Sequence, residues 1–212
     1  MAMHVWPMGR EGMGWQSRHT ELMAAWRQVF REAGGQVPDR NVERLLHTTH
    51  IPVPEGNMRR LDLIVTCKNA ARGLQLFCDV TVISPITGRG HARGGTSNRG
   101  GRLLEIAQRE NDSTYSEVAS SGLGSLQCLG AEVFGRWGMQ NVALVPTLAH
   151  GRCRDLHARL REGAALGLQH RWWGILGLAL QRAVARRALG PGGDLPYTPQ
   201  EPPCPLADLD VI

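Results

Sequence analysis

The strongest constraint on the fold comes from two aliphatic segments, each with an aspartate near its middle. Residues 60–66 read Arg-Leu-Asp-Leu-Ile-Val-Thr, and residues 74–83 read Leu-Gln-Leu-Phe-Cys-Asp-Val-Thr-Val-Ile. Both are rich in β-branched and aliphatic residues, which is typical of strands. The short stretch between them has the length of a hairpin connection. We therefore expect two neighbouring strands, with Asp62 in the first and Asp79 in the second.

The rest of the chain predicts helices around this pair. Apolar residues recur at helical spacing in several segments, and residues 87–101 form a Gly-, Arg- and Ser-rich loop. Segment 36–47 is ambiguous, because it fits either a short strand near Val37 or a turn followed by a helix. The predicted elements are helices at about 18–33, 102–120, 141–160 and 163–189, and a third strand at 126–134. This order predicts an α/β fold, in which helices flank a small mixed central sheet and further helices lie at the C-terminal end.

Composition sets the domain boundaries and excludes some classes of protein. With 212 residues, 42% hydrophobic and 20% charged, the chain suits one folded domain rather than a disordered polymer. We place that domain at 17–189, between a flexible arm at 1–16 and a Pro-rich, acidic, disordered tail at 190–212. We expect no membrane-spanning helix, because the longest uncharged apolar run falls far short of the roughly 20 residues that a bilayer requires. Five scattered cysteines without a CxxC pair favour a reducing compartment over a disulfide framework.

The charge balance is compatible with a polyanionic partner. The chain has a formal net charge of +5, and its last 23 residues contain four acidic and no basic residues, so residues 1–189 carry +9. A basic body of that size is compatible with nucleic acid but does not establish binding.

Asp62 and Asp79 are the leading candidates for chemistry. Aspartate is disfavoured inside strands, and a carboxylate among aliphatic residues is costly unless it is paired, hydrogen-bonded or bound to a cation. Two such carboxylates on adjacent strands can share one hard cation such as Mg²⁺. The alternative is that each aspartate pairs with an arginine, for example Arg59 or Arg60. The pattern alone does not choose between these two interpretations.

The same residues carry a resemblance to a known family. Several segments of the sequence resemble, in order and spacing, those of one type of nuclease domain. They are the helix that opens at Arg18-His19, the segments around Asp62 and Asp79, and the later segments Cys128–Trp137 and Arg171-Trp-Trp-Gly. This type of nuclease domain is the restriction-like endonuclease domain of non-LTR retrotransposon proteins, which belongs to the PD-(D/E)XK superfamily. The resemblance covers about residues 17–189. It implies a restriction-endonuclease-like fold, Mg²⁺-dependent DNA cleavage and a nuclear location, with no small-molecule cofactor beyond the metal.

The resemblance also implies roles for individual residues. Asp62 and Asp79 match the two metal-binding carboxylates, and Glu43 matches an accessory one. Thr81 stands where the family has a catalytic Lys, Tyr115 matches a helix Tyr, and Arg109 is the one cation in the stretch that supplies Lys in retrotransposon members. Leu61 stands in place of the usual Pro. These departures favour an alternative, in which the chain is a degenerate, catalytically inactive nucleic-acid-binding remnant.

Arginines outside the metal site are candidates for contacts with the DNA backbone. The glycines of the 87–101 loop would let its arginines approach phosphates closely. The alternative for the loop is an ordinary flexible insertion, and the alternative for the arginines of the last helix is a solvated helix face. The candidate nucleic-acid-binding residues are Arg89, Arg93, Arg99, Arg102, Arg171 and Arg182. The sequence predicts neither the oligomeric state nor the target site.

Overall fold

The protein is described by a computed structural model covering residues 11–37, 44–68 and 74–189. It has an α/β fold in which helices flank a small mixed sheet, and this confirms the predicted fold class. The elements are α1 (Glu11–Glu32), β1 (Arg44–Leu45), a 3₁₀ helix (Leu46–Thr49), β2 (Arg60–Leu61), β3 (Leu63–Thr66), β4 (Gln75–Ile83), α2 (Arg102–Thr114), α3 (Ser116–Ser121), β5 (Gly124–Glu132), α4 (Met139–Arg152) and α5 (Ala158–Leu189).

The central sheet has the strand order β3-β4-β5. Strands β3 and β4 are antiparallel, with Leu63 opposite Cys78. Strands β4 and β5 are parallel, with Asp79 opposite Cys128. Parallel neighbours need a long crossover, and the 87–101 loop together with α2 and α3 provides it. A separate two-stranded ribbon joins β1 to β2.

The two faces of the sheet are covered by different helices. Side chains that alternate along β4 point to opposite faces, as the period of a strand requires. Cys78 and Val80 lie in the main core with α1, α4 and α5, whereas Phe77 lies in a smaller core with Tyr115 and Val118, on the side of α2 and α3. Asp79 and Thr81 share the face of Phe77, and this places them under α2.

Several boundaries differ from the predicted ones. Helix α1 begins at Glu11 rather than near 18, so residues 11–16 of the predicted arm are helical. The strand predicted at 60–66 is interrupted at Asp62, and the helix predicted at 102–120 is broken at Tyr115. The break follows from burial, because the Tyr115 ring fills the smaller core and its hydroxyl donates to the Arg60 carbonyl oxygen at 2.5 Å.

Further predicted features match only in part or lie outside the described residues. In the ambiguous segment 36–47, Gln36 forms an isolated bridge to Thr66, and a two-residue strand and a 3₁₀ helix follow from Arg44. Helix α4 ends at Arg152, earlier than predicted, and α5 begins at Ala158. The predicted tail at 190–212 lies outside the described residues. Within the described ranges, no helix combines the length and apolar character that crossing a membrane requires.

Candidate metal and nucleic-acid site

Asp62 lies where the chain passes from the small ribbon into the central sheet. Its backbone N–H donates to the Cys78 carbonyl oxygen at 3.1 Å. Its carboxylate Oδ2 accepts a hydrogen bond from the Val80 N–H at 2.5 Å. The carboxylate thus replaces the main-chain oxygen that a continuous β3 would offer to β4. The register between β3 and β4 ends at the pair of Leu63 and Cys78, so Asp62 lies just before the ladder begins.

His19 of α1 contacts the same oxygen of this carboxylate. Its Nε2 lies 2.8 Å from Asp62 Oδ2, and both residues are buried, each 7% exposed. His19 was not among the residues that the sequence predicted to form the site. A signal was present, because His19 precedes the buried Leu22 and Trp26 by one and two helical turns and so shares their face. A polar residue on the buried face of a helix needs a partner.

Asp79 sits in the middle of β4 and faces α2. Its Oδ2 accepts hydrogen bonds from Asn111 Nδ2 at 2.8 Å and from Thr81 Oγ1 at 3.0 Å. Burial, followed by the negative charge of Asp62, raises the pKa of Asp79 from 3.8 to about 6, even though the two hydrogen bonds act to lower it. The negative charge of Asp62 is thus one of the two causes that raise the pKa of Asp79.

The described contacts of both aspartates involve the same one of their two carboxylate oxygens. All of them go to Oδ2, and no described hydrogen bond goes to Oδ1 of Asp62 or Asp79. Mg²⁺ is commonly held by one or two carboxylates and several waters, and this donor set fits it. Among the described residues, no group of three or more His, Cys, Asp or Glu side chains forms a metal site. The predicted accessory ligand Glu43 lies outside the described residues.

Two buried cysteines flank Asp79 but do not offer thiolates. Burial, with the charges of Asp62 and Asp79, raises the pKa of the Cys78 thiol well above its ordinary value. Burial, followed by the charge of Asp79, raises the pKa of Cys128 to about 12. Because the thiolate is the nucleophilic and metal-binding form, these residues act as packing groups near neutral pH.

Of the two arginines named as possible partners of the aspartates, Arg59 pairs with a glutamate of α3. The Arg59 guanidinium forms an ion pair with Glu117 at 2.5 Å and lies 5.9 Å from the centre of the Tyr115 ring. Arg60 contributes its carbonyl oxygen to Tyr115. The described contacts of the two aspartates come from His19, the Val80 N–H, Asn111 and Thr81, and no arginine is among them.

The other predicted catalytic residues lie at different distances from the carboxylates. Thr81 contacts Asp79 directly through its hydroxyl group. Tyr115 is buried in the smaller core, where its described contacts hold the β2 backbone rather than either aspartate. Arg109 lies on α2 with an exposed side chain, 3.8 Å from Glu105. The structure thus brings Thr81 to the site, leaves Arg109 at its edge and gives Tyr115 a packing role.

The candidate DNA-binding arginines fall into two groups. Arg171 donates two hydrogen bonds of 2.9 Å to Glu32, which also accepts one from Trp172 Nε1 at 2.9 Å. The hydrogen bond from Arg171 is the main reason that the pKa of Glu32 falls to about 2. Arg171 thus ties α5 to α1, and Arg99 is paired with Glu105 at 2.7 Å. The remaining candidates have exposed side chains: Arg89, Arg93, Arg102 and Arg182.

Comparison with known proteins adds no family assignment. No protein-family profile matches the sequence, and a search of curated proteins finds no match. The relation to PD-(D/E)XK nucleases therefore stays a prediction from the residues themselves.

Proposed function

We propose that this chain is a Mg²⁺-dependent DNA endonuclease-like domain of retroelement origin. One observation carries the proposal. Asp62, at the entry to β3, and Asp79, in the neighbouring strand β4, are each fixed by hydrogen bonds at Oδ2, and the charge of Asp62 contributes to the raised pKa of Asp79. Burying a carboxylate is costly unless hydrogen bonds or an opposite charge compensate for it. Nuclease activity and a DNA partner are tested together by the assay below, and a nuclear location is proposed with them from the resemblance alone.

The chain's own residues would prepare this site before any cation arrives. His19 and the Val80 N–H hold Asp62, while Asn111 and Thr81 hold Asp79. Rigid carboxylates reduce the cost of ordering the ligands on binding. When bound, Mg²⁺ would polarise a phosphodiester and activate water.

The surrounding cations can bind phosphate but cannot accept a proton. Arg109 stays charged at any physiological pH, so it can only stabilise negative charge. Thr81 already donates its hydroxyl proton to Asp79, and it lacks the ammonium that the family has at this position. We therefore expect slow cleavage, with Arg109 contributing electrostatic stabilisation alone.

A plasmid-nicking assay with Mg²⁺ tests the catalytic assignment. Asp62→Asn and Asp79→Asn keep the shape of each side chain and remove its charge, and both should abolish nicking. Asp112→Asn is the matched control, because Asp112 is an exposed residue of α2 whose described hydrogen bond comes from Gln108. If the wild-type protein nicks DNA and the two site variants nick at the same rate, the assignment is wrong.

The second candidate is an inactive nucleic-acid-binding domain. The observation that favours it is Thr81, whose hydroxyl replaces the family's ammonium and is engaged with Asp79. This candidate predicts DNA affinity that falls steeply with salt concentration and no Mg²⁺-dependent cleavage. If the protein ignores DNA even at low salt, both candidates fail.

A further inference from the structure

A cavity of about 660 Å³ opens beside the carboxylate site. Its walls come from α2, β5 and the first turn of α4. Cys128 and Gly130 of β5 line it, and they are the register partners of Asp79 and Thr81 in β4. Adjacent strands are about 5 Å apart, so the cavity lies one strand away from Asp79 on the same face of the sheet. A molecule that fills the cavity would therefore lie next to one held at the carboxylates.

The charge at the cavity favours an anion. Arg109 and Arg136 line it, and their side chains are 75% and 53% exposed. Together with Arg99 they share two carboxylates: Glu105 lies 2.7 Å from Arg99 and 3.8 Å from Arg109, and Glu132 lies 3.7 Å from Arg136. Of these groups, two guanidinium groups and one carboxylate, Glu105, line the cavity itself, so its wall carries a net positive charge.

The start of α4 adds to this positive potential. The helix begins at Met139 beside the cavity, and its first turn contains no acidic residue. The first N–H groups of a helix have no intrahelical partner, and they give this end a partial positive charge. The helix end by itself defines no ligand, but here it faces the same space as the two arginines.

The remaining walls are suited to a base and a sugar rather than to a small ion. Leu104, Trp137 and Met139 provide apolar surface, and the volume falls within the range of pockets that hold whole organic ligands. Gln140 also lines the cavity, and its Oε1 accepts hydrogen bonds from Gln127 Nε2 at 3.0 Å and from the Cys128 N–H at 3.3 Å. Its amide nitrogen is therefore the group it can offer to an acceptor on a base.

We propose that this cavity binds one nucleotide of a DNA strand, with the phosphate at Arg109 and Arg136 and the base against Leu104 and Trp137. The inference rests on the proposed function in one respect, because the bound strand is taken to be the one whose phosphodiester lies at the carboxylates. Binding itself needs neither the metal nor cleavage. Arg136, Trp137 and Gln140 are thereby added to the residues that recognise the substrate.

Fluorescence anisotropy with a labelled single-stranded oligonucleotide, measured in EDTA on the full chain, tests the proposal. We expect the double variant Arg109→Gln with Arg136→Gln to lose at least about tenfold in affinity, because each charge-assisted contact with phosphate is strong. Arg159→Gln removes one exposed arginine of α5 outside the cavity, and it should change the affinity for the oligonucleotide by less than about twofold. Circular dichroism verifies that each variant is folded.

A competition experiment distinguishes a nucleotide from a phosphate ion. Deoxyadenosine monophosphate should displace the oligonucleotide from the wild-type protein at concentrations at which inorganic phosphate does not. Equal displacement by the two compounds would overturn the nucleotide assignment. A loss of oligonucleotide affinity in Arg159→Gln half as large as the loss in the double variant would show that binding does not depend on the cavity. Because all arms exclude Mg²⁺, a failure of plasmid nicking leaves these results intact, and a failure here leaves the nicking test intact.

Discussion

Replacing Asp79 by asparagine should stabilise the fold, and more at neutral than at acidic pH. The pKa of this carboxyl rises from 3.8 to about 6 on folding, so the folded state holds the proton more tightly than the unfolded state does. The free energy of unfolding therefore falls as pH rises from about 4 to above 6. At 1.36 kcal/mol per pKa unit, the penalty is about 3 kcal/mol at pH 7.5 and about 1 kcal/mol at pH 4.5.

The Asp79→Asn variant removes this penalty while keeping the local contacts. The amide oxygen of the substituted side chain can still accept the hydrogen bonds from Asn111 and Thr81. Because Asp79 is half-buried and water screens part of the repulsion, we expect a gain of about 1–3 kcal/mol at pH 7.5 that shrinks by about 1–2 kcal/mol at pH 4.5.

Urea denaturation in EDTA, at both pH values, measures the two gains. Asp112→Asn is the control, because it removes the same formal charge from an exposed position on α2. The reasoning from burial and from the charge of Asp62 would be refuted by either of two results. In the first, Asp79→Asn changes the free energy of unfolding equally at the two pH values; in the second, its change matches that of Asp112→Asn.

Two further predictions concern stability away from this site. Glu32→Gln weakens the link to Arg171 and should lower the free energy of unfolding by about 1 kcal/mol at pH 7, a small value because Arg171 is exposed. The contribution of Glu32 to stability is complete above pH 4.5. It disappears as the pH falls towards the folded pKa of Glu32, about 2. Urea denaturation at pH 7 and pH 3 measures this difference, and a loss no larger than that of the exposed control Glu55→Gln would contradict it. Gly124→Ala should cost more than about 2 kcal/mol, because a Cβ at Gly124 would collide with the backbone of β4. Gly163→Ala in α5 meets open space and should stabilise by up to about 1 kcal/mol, so equal melting temperatures for the two alanine variants would refute the packing argument.

The strands and the main helices could be predicted because their signals are local. The alternation of aliphatic residues in 74–83 and 126–134 matches β4 and β5 within two residues, since each strand buries side chains on a fixed period. The breaks at Asp62 and Tyr115 could not be predicted in this way. Each depends on a contact with a distant part of the chain, namely the Val80 N–H for Asp62 and the Arg60 carbonyl for Tyr115.

In the candidate site too, local patterns predicted some residues, whereas contacts between distant parts of the chain determined the others. The choice of Asp62 and Asp79 followed from carboxylates in aliphatic strands, and the structure places them at the entry to β3 and within β4, where the charge of Asp62 contributes to the raised pKa of Asp79. Their actual partners are His19 and Asn111, which lie 43 and 32 positions away along the chain. The cavity was not predicted either, because Arg136 reaches it only through the turn that follows β5. Local patterns identify which groups are costly to bury, but the tertiary fold decides which groups compensate for them.

The central claim is that Asp62 and Asp79 share one divalent cation, and Mn²⁺ binding tests it most directly. Electron paramagnetic resonance of free Mn²⁺, titrated against the full chain at pH 7.5, counts the bound ions without requiring DNA or catalysis. We predict one site in the wild-type protein and in Asp112→Asn, and at least about tenfold weaker binding in Asp62→Asn and in Asp79→Asn, because each loses one anionic ligand. Binding of equal strength in all four proteins, or no binding by the wild type, would contradict the claim.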